Sequence, residues 1–266
     1  MNPQSGRTET EGGSLYFEVV GEGPTLLCIT GGGGDAGYYA GLSQLLAPAY
    51  RVVSYDRRGN SRSTGRPEGE MSVPQQARDA AAVLRAVGTA KALVFGSSGG
   101  AIIALELVTQ RPDLVEHGVI HEPPVLAVLP DASAQARRFE TIQRALQHEG
   151  LDAAREIFFA GIGGLGDFIP PADYLERITA NDPVLFEHEM MAFVTYAPAF
   201  PSLRQSASRL TFAAGVESRG YYYGETAQRF ADLLGAAYVE LPGHHISPCS
   251  EPHAFGAALR PYLAWR

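Results

Sequence analysis

One short segment limits what this chain can fold into more than any other. Residues 92–105 pass from a strand-like Ala-Leu-Val-Phe through a Gly-x-Ser-x-Gly motif into a helix-like Ala-Ile-Ile-Ala-Leu. A strand that turns sharply into a helix at this motif lifts the serine oxygen clear of the backbone. Gly96 and Gly100 suit such a turn, because glycine has no Cβ to clash with nearby backbone. Such motifs also arise by chance in a chain with 30 glycines, but the flanking strand and helix favour Ser98 as a nucleophile.

Length and charge bound the classes of protein to consider. A chain of 266 residues with 45% hydrophobic content can bury one large core as a single domain. The net charge of −8 argues against nucleic acid or an anionic membrane as partner. The first residues are polar, and no apolar run is long enough to span a bilayer, so we expect a cytoplasmic protein. The oligomeric state stays open, with a homodimer as one option.

The two cysteines provide neither a disulfide framework nor a metal site. Cys28 lies in an apolar strand-like segment and Cys249 in a loop, and no other cysteine is present. We therefore expect no metal and no cofactor.

Strand-like and helix-like segments alternate along most of the chain. Predicted strands lie at 15–20, 26–29, 51–55, 92–95, 118–121, 210–214 and 238–241. Predicted helices lie at 73–87, 226–234 and 255–263, in addition to the one after Ser98. This alternation predicts an α/β fold with a mainly parallel sheet, covered by helices on both faces. Ligands bind at the carboxyl ends of the strands in such sheets.

Between residues 125 and 208 the alternation stops. Helix-like segments at 137–148, 152–159 and 183–196 are separated by a glycine-rich stretch and a proline pair. We expect one domain, with a core at 1–125 and 209–266 and a helical lid at 126–208. Bulky apolar side chains in this lid suit a bulky apolar substrate, and they equally suit packing of the lid on the core. They are Phe158, Phe159, Phe186, Met190, Met191, Phe193 and Tyr196.

A serine nucleophile requires a base, an acid that orients the base, and donors for the oxyanion. The loop after the last predicted strand offers two adjacent histidines, His244 and His245. Neighbouring residues in a loop point in different directions, so at most one of them reaches Ser98.

Backbone N–H donors are expected from two places. The run Gly31–Gly34 follows the second predicted strand and lets the backbone approach a substrate closely. The N–H of Gly99 opens a helix, whose dipole favours negative charge there.

The same glycine run allows a different interpretation. Gly32, Gly34 and Gly37 match a dinucleotide-binding fingerprint, and Asp56 ends the next predicted strand. A nicotinamide-dependent oxidoreductase is therefore a remote alternative. It would leave the turn at Ser98 and the histidine pair without explanation.

Two carboxylates compete for the role of the orienting acid. Glu122 ends a buried strand and is followed by Pro123, and a carboxylate in such a place needs a partner. Glu217 follows the next core strand, where a surface pair with Arg219 is the plainer interpretation.

With the order serine, acid, histidine, the chain resembles the α/β-hydrolase family over nearly its whole length. The glycine loop, the segment 56–61, the turn at Ser98 and the histidine loop match family landmarks at family spacing. The resemblance implies the α/β-hydrolase fold, with a lid between the sixth and seventh strands. It further implies that His245 is the base and that Gly32 and Gly99 are the oxyanion donors.

The chain departs from the family pattern at two positions. Thr30 stands where histidine is usual, and Ser218 stands where the acid is usually an aspartate. The segment 121–124, His-Glu-Pro-Pro, resembles a subgroup that includes zearalenone lactonases and has its acid after the sixth strand. This resemblance favours Glu122 over Glu217.

Together these features predict a cofactor-independent serine hydrolase that cleaves a small ester or lactone through an acyl-enzyme. Epoxide hydrolases and haloalkane dehalogenases of this fold use aspartate as the nucleophile, where this chain has Ser98. A perhydrolase or other non-hydrolytic reaction on the same triad remains an alternative. A ligand-binding protein that retains the triad is another.

Overall fold

The computed structural model describes residues 2–166 and 168–263 and contains one eight-stranded sheet. The strands are β1 (Gln4–Thr10), β2 (Gly13–Val20), β3 (Thr25–Ile29), β4 (Arg51–Tyr55), β5 (Ala92–Ser97), β6 (Val115–His121), β7 (Leu210–Gly215) and β8 (Ala237–Leu241). Their spatial order is β1-β2-β4-β3-β5-β6-β7-β8. Strand β2 is antiparallel to both of its neighbours, and the strands from β4 to β8 in this order are parallel. This is the predicted architecture of an α/β-hydrolase fold.

Helices cover both faces of the sheet. In chain order the helices are α1 (Ala40–Leu46), α2 (Val73–Ala86), α3 (Gly99–Gln110), α4 (Ser133–His148), α5 (Leu151–Phe159), α6 (Ala172–Ala180), α7 (Asp182–Val184), α8 (Met190–Val194), α9 (Phe200–Gln205), α10 (Tyr222–Leu234), α11 (Ser247–Ser250) and α12 (Pro252–Leu263). Buried side chains such as Val83, Ile103 and Phe230 place α2, α3 and α10 on one face. Leu42 and Phe255 place α1 and α12 on the other.

Strand β1 is an element that the sequence pattern did not predict. It pairs with β2 through a tight turn at Gly12, whose φ of +73° favours glycine. The strand lies at the edge of the sheet, and its residues are exposed or half-buried. Without a buried face, an edge strand lacks the alternation of apolar and polar residues that identifies other strands.

The helical insertion (residues 126–208) leaves the sheet after β6 and returns at β7. Helix α6 lies in a part of it where no helix was predicted. The predicted helix at 183–196 is interrupted, because a π-helical turn at Leu185–Glu189 separates α7 from α8. Extra residues of this kind within a helix often mark functional sites.

A buried ion pair joins this π-helical turn to the core. The guanidinium of Arg57, just after β4, donates to both carboxylate oxygens of Glu189 at 2.5 and 2.6 Å. Both side chains are almost fully buried. The same guanidinium donates to the carbonyl oxygen of Gly31 at 2.8 Å. One arginine therefore fixes both the insertion and the glycine run after β3.

A close crossing of backbone fixes the position of α3. A Cβ at Gly100 would lie 2.0 Å from the carbonyl oxygen of Ile29, at the end of β3. A Cβ at Gly96 would lie 2.4 Å from the carbonyl oxygen of Gly100. The first turn of α3 therefore packs directly against strand backbone, and both glycines of the motif are required for it.

We expect Gly100→Ala to lower the free energy of unfolding by about 3 kcal/mol, since strand and helix must separate to admit a methyl group. This loss outweighs the gain in helix propensity, about 1 kcal/mol. Gly69→Ala is the matched control, because its Cβ would have no atom within 4 Å. Urea unfolding measures both values, and equal stabilities of the two variants would contradict the packing argument.

We expect Glu189→Ala to cost about 3–5 kcal/mol in urea unfolding, because it leaves the buried Arg57 charge without a partner. Glu187→Ala is the control two residues away. Glu187 pairs with Arg66 at 2.9 Å, but both side chains are about half exposed. That pair should contribute less than about 1 kcal/mol. Similar losses in the two variants would show that the buried pair does not anchor the insertion.

Candidate active site

Ser98 occupies the turn between β5 and α3 with a backbone conformation that few residues other than glycine adopt. Its φ is +58° and its ψ is −128°. Its N–H donates to the carbonyl oxygen of His121 at 2.9 Å, and its own carbonyl accepts from the N–H of Ala101. The turn is thus held from β6 and from α3. It leaves the Ser98 side chain half-buried at the carboxyl edge of the sheet.

Glu122 follows β6 directly and is fully buried. Its φ is +48°, and its N–H donates to the carbonyl oxygen of Ala213 in β7 at 3.0 Å. Its Oε1 accepts from the N–H of Gly215 at 2.7 Å, and its Oε2 accepts from Nδ1 of His245 at 2.6 Å. Both carboxylate oxygens therefore have short, direct partners.

The two adjacent histidines point to different places. His245 is 6% exposed, and its ring packs on that of Tyr223 with centroids 4.2 Å apart. The His244 ring lies against Gly164 of the helical insertion, and its Nε2 is 3.8 Å from Oε2 of Glu251. Of these two histidines, His245 contacts Glu122 and His244 does not.

The protonation states of the buried groups are set by opposing effects. Burial raises the pKa of Glu122, but the neighbouring His121 and the hydrogen bond from His245 outweigh it and lower this pKa to about 2. Burial lowers the pKa of His121 to about 4. Near neutral pH, Glu122 is therefore an anion beside a neutral His121.

Glu217 does not take part in this cluster. Its side chain is exposed on a short 3₁₀ helix after β7, and its N–H donates to the carbonyl oxygen of Gly243 at 2.9 Å. The expected surface pair with Arg219 is wrong, because Arg219 binds Glu240 at 2.5 and 2.8 Å. Glu240 lies on β8, so Arg219 pairs with the neighbouring strand and not with Glu217.

The glycine run after β3 meets the start of α3 beside Ser98. A Cβ at Gly31 would lie 2.7 Å from Cβ of Ser98 and 3.0 Å from the nitrogen of Gly99. The N–H groups of Gly32 and Gly99 donate to no other group in the described part of the chain. Both N–H groups thus remain available beside the serine.

The dinucleotide interpretation of this run meets an obstacle at Asp56. Its buried carboxylate accepts from the N–H of Ala36 at 2.8 Å and from Nε of Arg62 at 2.7 Å. Asp56 thus binds the chain itself and is not presented to a ribose.

Two compartments meet at Ser98, and side chains of the helical insertion line much of both. The small compartment has about 580 Å³ and the large compartment about 1140 Å³, each partly open to solvent. Ser98, Gly32, His245, Phe158, Ile162 and Leu185 border both. The small compartment is also lined by Gly99, Arg138, Phe139, Met190, Phe193 and Tyr223. The large compartment is also lined by Tyr38, Arg155, Phe159, Tyr174, Ile178 and Cys249.

The bulky residues expected to contact substrate divide into two groups. Phe158, Phe159, Met190 and Phe193 line the compartments. Others only pack: the Tyr196 hydroxyl donates to Glu106 at 2.6 Å, Phe186 stacks edge-on against Phe158, and Met191 joins the core of the insertion.

Sequence reasoning missed several groups around the site. Nδ1 of His121 forms a hydrogen bond with Oγ of Ser97 at 2.8 Å, and Nε2 of His121 lies 3.7 Å from Oε1 of Glu122. The position of His121 in the His-Glu-x-Pro segment was the only sequence signal that it lies at the site. Tyr223, Arg57 and Arg138 gave no such signal, because their contacts form only in the folded chain. Among residues 2–166 and 168–263, no cluster suited to a metal ion and no helix able to cross a membrane were found.

Comparisons with known proteins place this architecture in a family. A model of the alpha/beta hydrolase fold matches residues 24–156. The uncharacterized hydrolase YraK of Bacillus subtilis (strain 168) is 31% identical over 253 residues, which cover 92% of this chain and 90% of YraK.

Solved structures resemble the fold over nearly the whole chain. A thermophilic esterase from Thermogutta terrifontis superposes with a TM-score of 0.78 at 18% identity, covering 98% of both chains. Est816, described as an N-acyl homoserine lactone degrading enzyme, gives 0.74 at 20% identity over 97% of this chain and 100% of its own. At such identities the likeness concerns the fold alone. Together with the family model and YraK, these matches show that the chain belongs to the α/β-hydrolase fold family.

Proposed function

We propose that this member of the hydrolase class is a cofactor-independent serine hydrolase that cleaves a carboxylic ester or lactone. The observation that supports it best is the 2.6 Å contact between Nδ1 of His245 and the buried Glu122, since Ser98 and His245 line the same cavity. A histidine held by an anion through one nitrogen presents the other to a nucleophile. The N–H groups of Gly32 and Gly99, which have no partner in the part of the chain that the structure describes, belong to residues that line the cavity with this serine.

The proposed reaction passes through an acyl-enzyme. Oγ of Ser98 attacks the carbonyl carbon while Nε2 of His245 takes its proton, and the oxyanion binds the N–H groups of Gly32 and Gly99. His245 then gives the proton to the leaving alkoxide. Water attacks the acyl-enzyme with His245 as base and regenerates Ser98. Glu122 stays ionised and stabilises the imidazolium at each step.

We further propose that residues 126–208 act as a lid over a core formed by 1–125 and 209–266, within a single domain. The insertion contributes apolar walls to both compartments, which suits a small substrate that is largely apolar. The esterase and the lactone-degrading enzyme that share the fold are consistent with either substrate. A panel of esters and lactones scored by mass spectrometry distinguishes the two classes.

We expect Ser98→Ala to lower kcat by roughly 10³–10⁶ on an activated ester, because the variant cannot form the acyl-enzyme. A fluorophosphonate probe should label the wild-type protein at Ser98, as mapped by peptide mass spectrometry, and should not label the variant. An adduct on Ser97 or Cys249 would contradict the assignment. A stable acyl-Ser98 that water does not hydrolyse would overturn the hydrolytic step.

We expect Glu122→Gln to lower kcat by about 10⁴, the cost of losing the comparable carboxylate in a serine protease. The amide oxygen still accepts from Gly215, but the amide cannot stabilise the imidazolium. Glu217→Gln is the control, and its rate should stay within about tenfold because the side chain is exposed. Melting curves confirm that both variants are folded before rates are compared. An inactive Glu217→Gln would move the acid to the segment after β7.

A further inference from the structure

A single permanent charge lines the small compartment among the residues that the structure describes. It belongs to Arg138, which lies half-buried on α4. The other lining groups are aromatic, aliphatic or glycine, apart from Ser98 and His245. A cation exposed to an apolar cavity loses hydration and gains little in return.

The guanidinium of Arg138 is held in one place. Its Nη2 donates to the carbonyl oxygens of Ile157 and of Phe158, the latter at 3.3 Å, at the end of α5. A Cβ at Gly161 would lie 2.0 Å from Nη2, so a side chain there would displace the guanidinium from this position. Two backbone carbonyls and the glycine thus define where the guanidinium lies.

The charge of Arg138 has no counter-ion within the described residues. Its Nε and Nη1 have no hydrogen-bond partner there either, although both carry donors. Arg155 in the large compartment differs, because its Nε lies 2.9 Å from Oδ2 of the buried Asp182. Within residues 2–166 and 168–263, the arginine of the large compartment thus has an acidic partner and that of the small compartment has none.

We propose that Arg138 binds a carboxylate of the substrate, so that the substrates are esters or lactones bearing a second, anionic carboxylate. A planar guanidinium with free donors matches a carboxylate in charge and geometry. Arg138 and Ser98 border the same small compartment, so a short carbon chain separates the two groups of the substrate. This inference rests on the proposed function, and it refines the apolar substrate to one with an anionic end.

The test compares two esters of matched shape. They are the mono-para-nitrophenyl ester of adipic acid, which is an anion at neutral pH, and its methyl ester, which is neutral. We expect the wild-type protein to favour the anion in kcat/KM by roughly tenfold to a hundredfold, the range of one hydrogen-bonded charge pair. In Arg138→Met this ratio should fall to near one.

Arg137→Met is the matched control, because it removes the same charge from an exposed neighbour on α4 and should leave the ratio unchanged. Gly161→Ala keeps the charge but displaces the guanidinium, so the ratio should fall there too. If Arg138 only capped α5, Arg138→Met would slow both esters equally. An unchanged ratio would therefore overturn the proposal.

Fluorophosphonate labelling separates this inference from the proposed function. Labelling of Ser98 and cleavage of both esters, with a wild-type ratio near one, would overturn the carboxylate site and leave the hydrolase intact. Absence of labelling and of cleavage of either ester would overturn the hydrolase proposal itself, and this inference with it.

Discussion

The rest of the structure depends on how closely α3 crosses the end of β3. Gly100 lies against the carbonyl of Ile29. This contact holds the turn in which Ser98, with its positive φ, lies at the carboxyl edge of the sheet. The same approach brings Gly31 within contact of Ser98 and of the Gly99 nitrogen. Strain at one serine costs of order 1–3 kcal/mol, which the buried apolar residues of α3 readily offset. The proposed nucleophile and the proposed oxyanion donors are thus positioned by the same packing contact.

A buried ion pair ties the helical insertion to this crossing. Arg57 binds Glu189 of the π-helical turn and the carbonyl of Gly31, so the insertion and the glycine run share a partner. Leu185 in the same turn lies 3.2 Å from where a Cβ of Gly32 would be. A buried ion pair contributes little net stability, but it penalises every alternative arrangement that separates the charges. It therefore determines where the insertion sits rather than how strongly it is held.

Local sequence patterns predicted most of the core strands and helices. Features that depend on contacts between distant residues could not be predicted in this way. The turn at Ser98 and the buried strand before Glu122 were predictable because periodicity and glycine spacing are local signals. Edge strand β1 and the π-helical turn at Leu185–Glu189 were not. The first has no buried face, and the second carries Glu189, whose partner Arg57 is distant in the sequence. The sequence does not distinguish Arg138 from any other arginine on an amphipathic helix, because its lack of an acidic partner among the described residues is visible only in the folded chain.

The contacts of Glu122 explain how the proposed acid can follow β6 instead of β7. The position of the carboxylate group matters more than the strand that carries it. The carboxylate of Glu122 accepts a hydrogen bond from the N–H of Gly215, the last residue of β7. The position where the family usually has an aspartate is occupied by Ser218, which is buried and carries no charge. A second carboxylate there would repel the first and raise one of the two pKa values. An uncharged serine at position 218 is therefore compatible with the buried anion of Glu122, because a second buried carboxylate beside His245 would be repelled by the first.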